Sequence, residues 1–276
     1  MNLRTPLRYP GGKRKLADFM EQFIIHNNLL GSQYAEPFAG GAGLAIELLK
    51  RKAVSRIYLN DIDKNIYSFW HSVLYKNEDI CTLIENTPVT IEQWYKQKEC
   101  LLSEDLLTRG FATFFLNRTN RSGIIWGGVI GGKLQTGKWK IDCRFNKVDL
   151  IEKIKTIGRY RDQITFTNFD AEIFLSDISL RFTEKSLIYL DPPYYEKGVG
   201  LYENHYKHDD HERLASLIKK LKTPWVVSYD DNPNINGFFQ DQNKINYLIN
   251  YSAQHHIKGK EVIFCNNSTF PKKTIF

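Results

Sequence analysis

The chain has 276 residues, 42% of them hydrophobic and 25% charged, which suffices for one large α/β domain or for a core of about 150 to 200 residues carrying an insertion. That composition excludes wholesale disorder and a collagenous repeat, and no apolar run approaches the roughly 18 to 20 residues of a membrane span. The net charge of +7 is unevenly spread: residues 109–161 hold 12 Lys and Arg against 3 Asp and Glu, a balance of +9 that leaves −2 for the other 223 residues. A basic block inside a near-neutral frame marks a polyanion footprint, the bland alternative being a solvated charged face.

The N-terminal stretch MNLRTPLRYPGGKRKL lacks the apolar run of a secretory signal. Cysteines at 81, 100, 143 and 265 are too few for a disulfide scaffold and form no CxxC pair. The expectation is a cytosolic protein with reduced, structural cysteines.

In chain order, YAEPF (34–38) and RIYLND (56–61) read as short strands of a buried parallel sheet, with the helical pattern GLAIELLKRK between them. That is a βαβ element. Its turn, EPFAGGAG (36–43), places glycine at 40, 41 and 43, where backbone can approach a ligand at a helix start. The dinucleotide spacing GxGxxG is missing, because position 46 is Ile. Asp61, about 20 residues on at the end of the second strand, is placed to accept from the two hydroxyls of a ribose. Asp63 competes for that role but suits the N-cap of a helix starting near Lys64.

Residues 76–160 change in character. EQWYKQKECLL and DLLTRGFATFFLN are helical, and then six glycines fall between 123 and 137 among Arg, Lys, Trp, Asn and Gln. Glycine at that density punctuates a loop, and planar or amide side chains on a basic loop suit phosphates and base edges.

Strands and helices alternate again in QITFTNFD (163–170), SLIYLDPPYY (186–195) and TPWVVSYDD (223–231), with HERLASLIKKL (211–221) placing Leu214, Leu217, Ile218 and Leu221 at helical spacing. INYLINYSA and KEVIFCN, joined by a Gly-containing loop, read as an edge hairpin. The frame is a doubly wound α/β sheet, whose ligands bind at the carboxyl ends of the strands. Directly after LIYL stands Asp191-Pro192-Pro193-Tyr194. The prolines end the strand, contribute no N–H and leave their carbonyls free. A carboxylate, a rigid carbonyl and an aromatic plane can hold an exocyclic amino group by accepting both its protons while the tyrosine stacks on the attached ring.

EPFAGGAG, NDID and DPPY, in that order on an α/β frame, resemble the S-adenosylmethionine-dependent DNA adenine-N6 methyltransferases of the Dam (D12) class. RYPGGK (8–13) resembles the cofactor motif that this class places first, and LNRTNRSG (116–123) the start of its target-recognition region. The resemblance implies a Rossmann-like methyltransferase sheet with an inserted, mainly helical target-recognition domain. Residues 1–75 and 161–276 would form the catalytic domain and 76–160 the recognition domain. Tyr9 and Lys13 would contact the cofactor; Glu36, Phe38 and Gly40 would line its methionine and adenosine region, with Asp61 on the ribose and Asp170 near the adenine. Asp191 and the Pro192 carbonyl would hold the target N6 amine while Tyr194 stacks on the flipped base, and Asp191 would also lie close to the methionine amine.

Arg118, Asn120, Arg121, Trp126, Lys133, Gln135 and Lys138 are the expected DNA contacts, each weighed against a solvated loop. The continuation GIIWGGVIGG departs from members that methylate GATC, which carry an arginine there. The implied partners are double-stranded DNA and a cognate restriction endonuclease, with no metal, no membrane and a monomer or weak dimer. Rival readings are the same frame acting on RNA or a protein amide, a catalytically inactive DNA-binding homologue, and an oxidoreductase, which the missing GxGxxG disfavours.

Overall fold

Every residue of SLIYL (186–190) and of WVVSYD (225–230) is buried, which a strand achieves only when both faces of its sheet are covered. The structure, a computed structural model, describes residues 3–8, 13–195, 206–251, 257–266 and 268–271. In it α1 (Ala17–His26), β1 (Ser32–Glu36), α2 (Gly43–Lys50), β2 (Val54–Asn60) and α3 (Lys64–Tyr75) form the first strand–helix series. Then come α4 (Asn77–Asn86), α5 (Ile91–Cys100), α6 (Leu106–Thr119) and α7 (Lys147–Gly158). The second series is β3 (Ile164–Thr167), α8 (Ala171–Arg181), β4 (Ser186–Leu190), α9 (His208–Lys220), β5 (Trp225–Asp230) and α10 (Pro233–Phe238), closed by β6 (Asn243–Tyr251) and β7 (Ile257–Cys265).

The strand order is β3-β2-β1-β4-β5-β7-β6, with the first five parallel and β7 antiparallel to both neighbours. The chain therefore winds outward from β1 through β2 and β3, then returns to the other side of β1 as β4. This is the expected doubly wound sheet, and the expected hairpin sits at its edge. Gly259, expected in the hairpin loop, instead falls within β7; the end of INYLINYSA lies outside the described residues.

Helices cover both faces. Met20, Phe23, Leu48 and Trp70 fill one side, and Leu175, Ile178, Leu214, Ile218 and Phe239 the other. Asp63 caps α3 by accepting from the Asn65 N–H at 2.7 Å, as its position predicts. The basic segment is anchored on the first face: Phe114 of α6 stacks on Phe69 of α3, with ring centroids 5.9 Å apart. Gly110 permits this approach, since a Cβ there would lie 2.4 Å from the Ser68 carbonyl oxygen. Between α6 and α7 the chain makes turns and one isolated bridge, Asn120 to Val129, the loop its glycines predict. Cys81 and Cys265 are buried and Cys143 is exposed; all four are free. Among the described residues no helix is long and apolar enough to cross a membrane.

Candidate active site and nucleic-acid face

Strand order reverses between β1 and β4, and at the carboxyl ends of these strands lies a cavity of about 1010 Å³ lined by Lys13, Glu36, Phe38, Asp61, Asp170 and Asp191, among others. Glu36 closes β1 and is buried; it accepts from the Tyr34 hydroxyl at 2.8 Å and from the Ala45 N–H at the start of α2. Burial nevertheless pushes its carboxyl up to about 8. Asp61 follows β2 and accepts from the Gly40 N–H at 2.8 Å and the Asp63 N–H at 3.0 Å. Burial raises it to about 7. The Gly40 carbonyl accepts from Trp70 Nε1 at 2.9 Å, so Gly40 sits behind the cavity wall and fixes the turn while Ala42 takes the left-handed φ of 48°. Phe38 is half-buried, edge-on to Tyr206, and exposed Asp170 caps α8 through the Glu172 N–H at 2.8 Å.

At the end of β4, Asp191 accepts from Ser228 Oγ at 3.0 Å and pairs with Lys13 Nζ at 3.3 Å. Burial pushes its carboxyl up to about 6 even though Lys13 pulls the other way. Pro192 is buried and Tyr194 half-buried. The Tyr194 hydroxyl receives a hydrogen bond from Lys13 and donates one to Glu261, and the Lys13 ammonium lies 4.8 Å from the Tyr194 ring centroid. Tyr9 lies outside the described residues.

Four carboxyls, Glu36, Asp61, Asp63 and Asp191, are held above their unfolded values and oppose the usual pH dependence of stability. Raised folded-state values give stability that is full below about pH 4 and is lost as pH rises through 6, 7 and 8. The carboxylates with lowered values, Glu47, Asp105 and Asp210, act in the opposite sense but are fully ionised by about pH 5.5, whereas His71 and His211, held below their ordinary value by burial, offset part of the loss between about pH 5.5 and 7. The cofactor-free protein should therefore melt about 2 °C or more lower at pH 8 than at pH 5.5. Calorimetry across that range checks this, and a melting temperature that climbs with pH would refute it.

Seven side chains of the basic segment were expected to meet nucleic acid. Arg121, Trp126, Lys133 and Lys138 are exposed, and Trp126 also borders the cavity. Of the other three, Asn120 is buried, which corrects the expectation for it, while Gln135 and Arg118 are half-buried and bonded to the loop. Asn120 is 0% exposed: its oxygen accepts from Trp94 Nε1 at 2.7 Å and its amide donates to the carbonyls of Ile124 and Ile125. Gln135 donates to the carbonyls of Ile130 and Gly132 and accepts from the Ile141 N–H. Both amides spend their capacity folding the loop. Arg118 donates to the carbonyls of Arg144 and Pro6, and burial, then Arg8, brings it down to about 10.

Sequence reasoning missed the residues that join this loop to the cofactor motif. Asn117, buried in α6, accepts from the Arg8 N–H at 2.7 Å and donates to the carbonyls of Arg8 at 2.7 Å and Gly123 at 2.8 Å. Gly123 has φ +77°, and a Cβ there would stand 2.2 Å from the Arg8 carbonyl oxygen. Arg8, held below its ordinary value by burial and then by Arg144, brings a cationic group to this junction. Exposed Trp139, with Lys138 Nζ 5.6 Å from its ring centroid, was also passed over.

A doubly wound sheet with acidic strand ends at its switch point, a glycine turn above them and an Asp-Pro-Pro-Tyr edge is the frame of a methyltransferase that works from a nucleoside cofactor. The family model described as D12 class N6 adenine-specific DNA methyltransferase matches residues 9–262, and the chain belongs to that family. It is a DNA adenine-N6 methyltransferase with S-adenosyl-L-methionine as methyl donor and DNA as substrate. The Type II methyltransferase M.MjaIII of Methanocaldococcus jannaschii is 22% identical over 245 residues, covering 80% of this chain and 81% of that protein. Among solved structures, a SAM-dependent methyltransferase from Agrobacterium tumefaciens is 7% identical, with a TM-score of 0.45 over 92% of this chain and 61% of that one. A candidate RNA methyltransferase from Pyrococcus horikoshii is 10% identical, with a TM-score of 0.44 over 97% of this chain and 87% of that one.

The cavity fits the cofactor. Each Asp61 oxygen takes one backbone N–H and keeps lone pairs for the two ribose hydroxyls, and buried Glu36 has capacity left for an ammonium group.

Proposed function

We propose that the protein is a site-specific methyltransferase whose residues 1–75 and 161–276 carry out methyl transfer and whose residues 76–160 select the target in double-stranded DNA. When bound, the cofactor supplies a methyl carbon already activated by its positive sulfur. Adenine N6 is a poor nucleophile because its lone pair is delocalised into the ring, so the protein must orient and polarise it. Asp191 and the Pro192 carbonyl accept its two protons, which turns the lone pair toward the methyl group. N6 lies inside the duplex, so the base is flipped out at a cost of a few kcal/mol, offset in part by stacking on Tyr194. Asp61 holds the ribose, Glu36 and Phe38 line the methionine and adenosine region, Asp170 lies at the adenine end, and Tyr9 and Lys13 complete the cofactor site.

The observation that carries this reading is that Asp191, Lys13, Glu36 and Asp61 line one switch-point cavity, with Lys13 bonded to both Asp191 and the Tyr194 hydroxyl behind it. The Type II relative supports a restriction–modification setting with a cognate endonuclease, and we place the enzyme in the cytoplasm, as a monomer or weak dimer. The test is incubation with tritiated S-adenosylmethionine and unmethylated genomic DNA, followed by nucleoside analysis and sequencing of modified sites. Label in N6-methyladenine at one short sequence is the expected result. Label in cytosine or in protein would overturn the assignment.

A further inference from the structure

Beside Asp191 lies a second acid that the mechanism above does not use. Glu261 of β7 is 0% exposed and stands opposite Asp230 of β5 and Tyr247 of β6. Its carboxylate accepts from Lys13 Nζ at 3.1 and 3.3 Å and from the hydroxyls of Tyr194 and Tyr247. Donors from three separate elements thus meet on one buried carboxylate, and two of them belong to the transfer site. The Lys13 ammonium has three N–H groups, which reach Glu261, Asp191 and the Tyr194 hydroxyl. An ammonium paired with Asp191 alone would settle on the carboxylate that must accept from the target amine. Shared with Glu261, it stays 3.3 Å from Asp191 as a compensating charge and leaves lone pairs of that carboxylate facing the cavity.

We propose that Glu261 is a positioning residue for methyl transfer: through Lys13 it sets the charge state of Asp191, and through the Tyr194 hydroxyl it fixes the plane on which the target base stacks. The inference rests on the reading of Asp191 and Tyr194 given above.

Among the described residues, the other titratable groups facing Asp191 are Glu36 and Tyr34 from β1, Tyr189 from β4, Tyr229 from β5 and Tyr247 from β6. Burial holds the four tyrosines neutral, well above their ordinary value, and keeps Glu36 protonated up to about 8. Asp230, next on β5, turns its carboxylate to the Tyr195 N–H at 3.0 Å. Among the described residues, the charges that bear most on Asp191 where it titrates are those of Lys13 and Glu261.

The experiment is the pH profile of kcat for the wild type, Glu261→Gln and Lys13→Gln on the full chain with saturating S-adenosylmethionine and DNA. Ionisation of Asp191 sets the acid limb. Loss of a like charge in Glu261→Gln should move that limb about one pH unit lower, and loss of the cation in Lys13→Gln should move it higher. The plateau kcat of Glu261→Gln should fall about tenfold or more, with a smaller change in KM for the cofactor. The glutamine keeps the shape and accepts from one tyrosine hydroxyl while its amide N–H donates to the other; should it not fold, the upward shift in Lys13→Gln carries the test. Coincident acid limbs in the wild type and every folded variant, with activity tracking the folded fraction, would overturn the proposal. Failure of the underlying reading looks different: Asp191→Ala would then retain its activity whatever the Glu261 variants do, and this inference would fall with it.

Discussion

Replacing Asp191 with alanine is expected to lower kcat by about 10²- to 10³-fold or more, the scale on which a group aimed at developing charge acts. Affinity for S-adenosylmethionine and for DNA should change by less than about tenfold, because the proposed reading gives the cofactor to Glu36 and Asp61 and the duplex to the basic loop. The residue's environment supplies a second, independent signature. Burial pushes the Asp191 carboxyl up to about 6, and the ionised form is the one that accepts from the amine beside the Pro192 carbonyl. Wild-type kcat should fall as pH drops through that value, since the protonated acid donates where it must accept. Asp191→Asn keeps the volume but cannot ionise, so its residual activity should run flat across the same range. Single-turnover methylation from pH 5 to 8 reads both features, and undiminished transfer by Asp191→Ala would remove the residue from the mechanism.

The sheet was legible in the sequence because its central strands are buried on both faces, as YAE, LIYL and WVVSY show, and YAE and LIYL lead directly into residues that line the cavity. Glu36, Asp61 and Asp191 could be named for that reason. Glu261 could not, because its strand reads as one more apolar edge run, and the partner that gives it meaning, Lys13, lies 248 residues away. The single acid inside EVIFC was the available signal, an unpaired charge in a buried strand being too costly to leave uncompensated. α4 and α7 went unread because polar and charged residues interrupt the apolar spacing of NEDICTLIEN and KVDLIEKIKTIG, leaving buried positions only at Ile80, Cys81 and Ile84 and at Leu150, Ile154, Thr156 and Ile157. Asn120 was misassigned for a physical reason: an amide on a basic loop suits a base edge, but it equally suits the unpaired carbonyls that a Gly-rich loop must satisfy. Composition cannot tell those uses apart, and burial does.

The same distinction sets the second large effect, on DNA binding. Arg121, Lys133 and Lys138 are exposed on the segment that holds the whole positive excess of the chain. Each phosphate a side chain neutralises releases condensed counterions, so the slope of log affinity against log salt changes by roughly 0.9 per contact. A triple replacement by glutamine should therefore flatten that slope by about 2 to 3 and weaken binding at low salt by about 10²-fold, nearly alike on cognate and unrelated duplexes. Asn120→Ala should behave in the opposite way. It leaves the Trp94 N–H without its partner, along with two loop carbonyls, so it should cost about 2 to 3 kcal/mol of stability with the salt slope unchanged in the folded protein. Denaturant unfolding and salt titrations on both variants separate the two roles. An unchanged slope in the triple variant would mean that the +9 segment is a solvated face and that the duplex is held elsewhere, with the Arg8 and Arg144 junction as the next surface to neutralise.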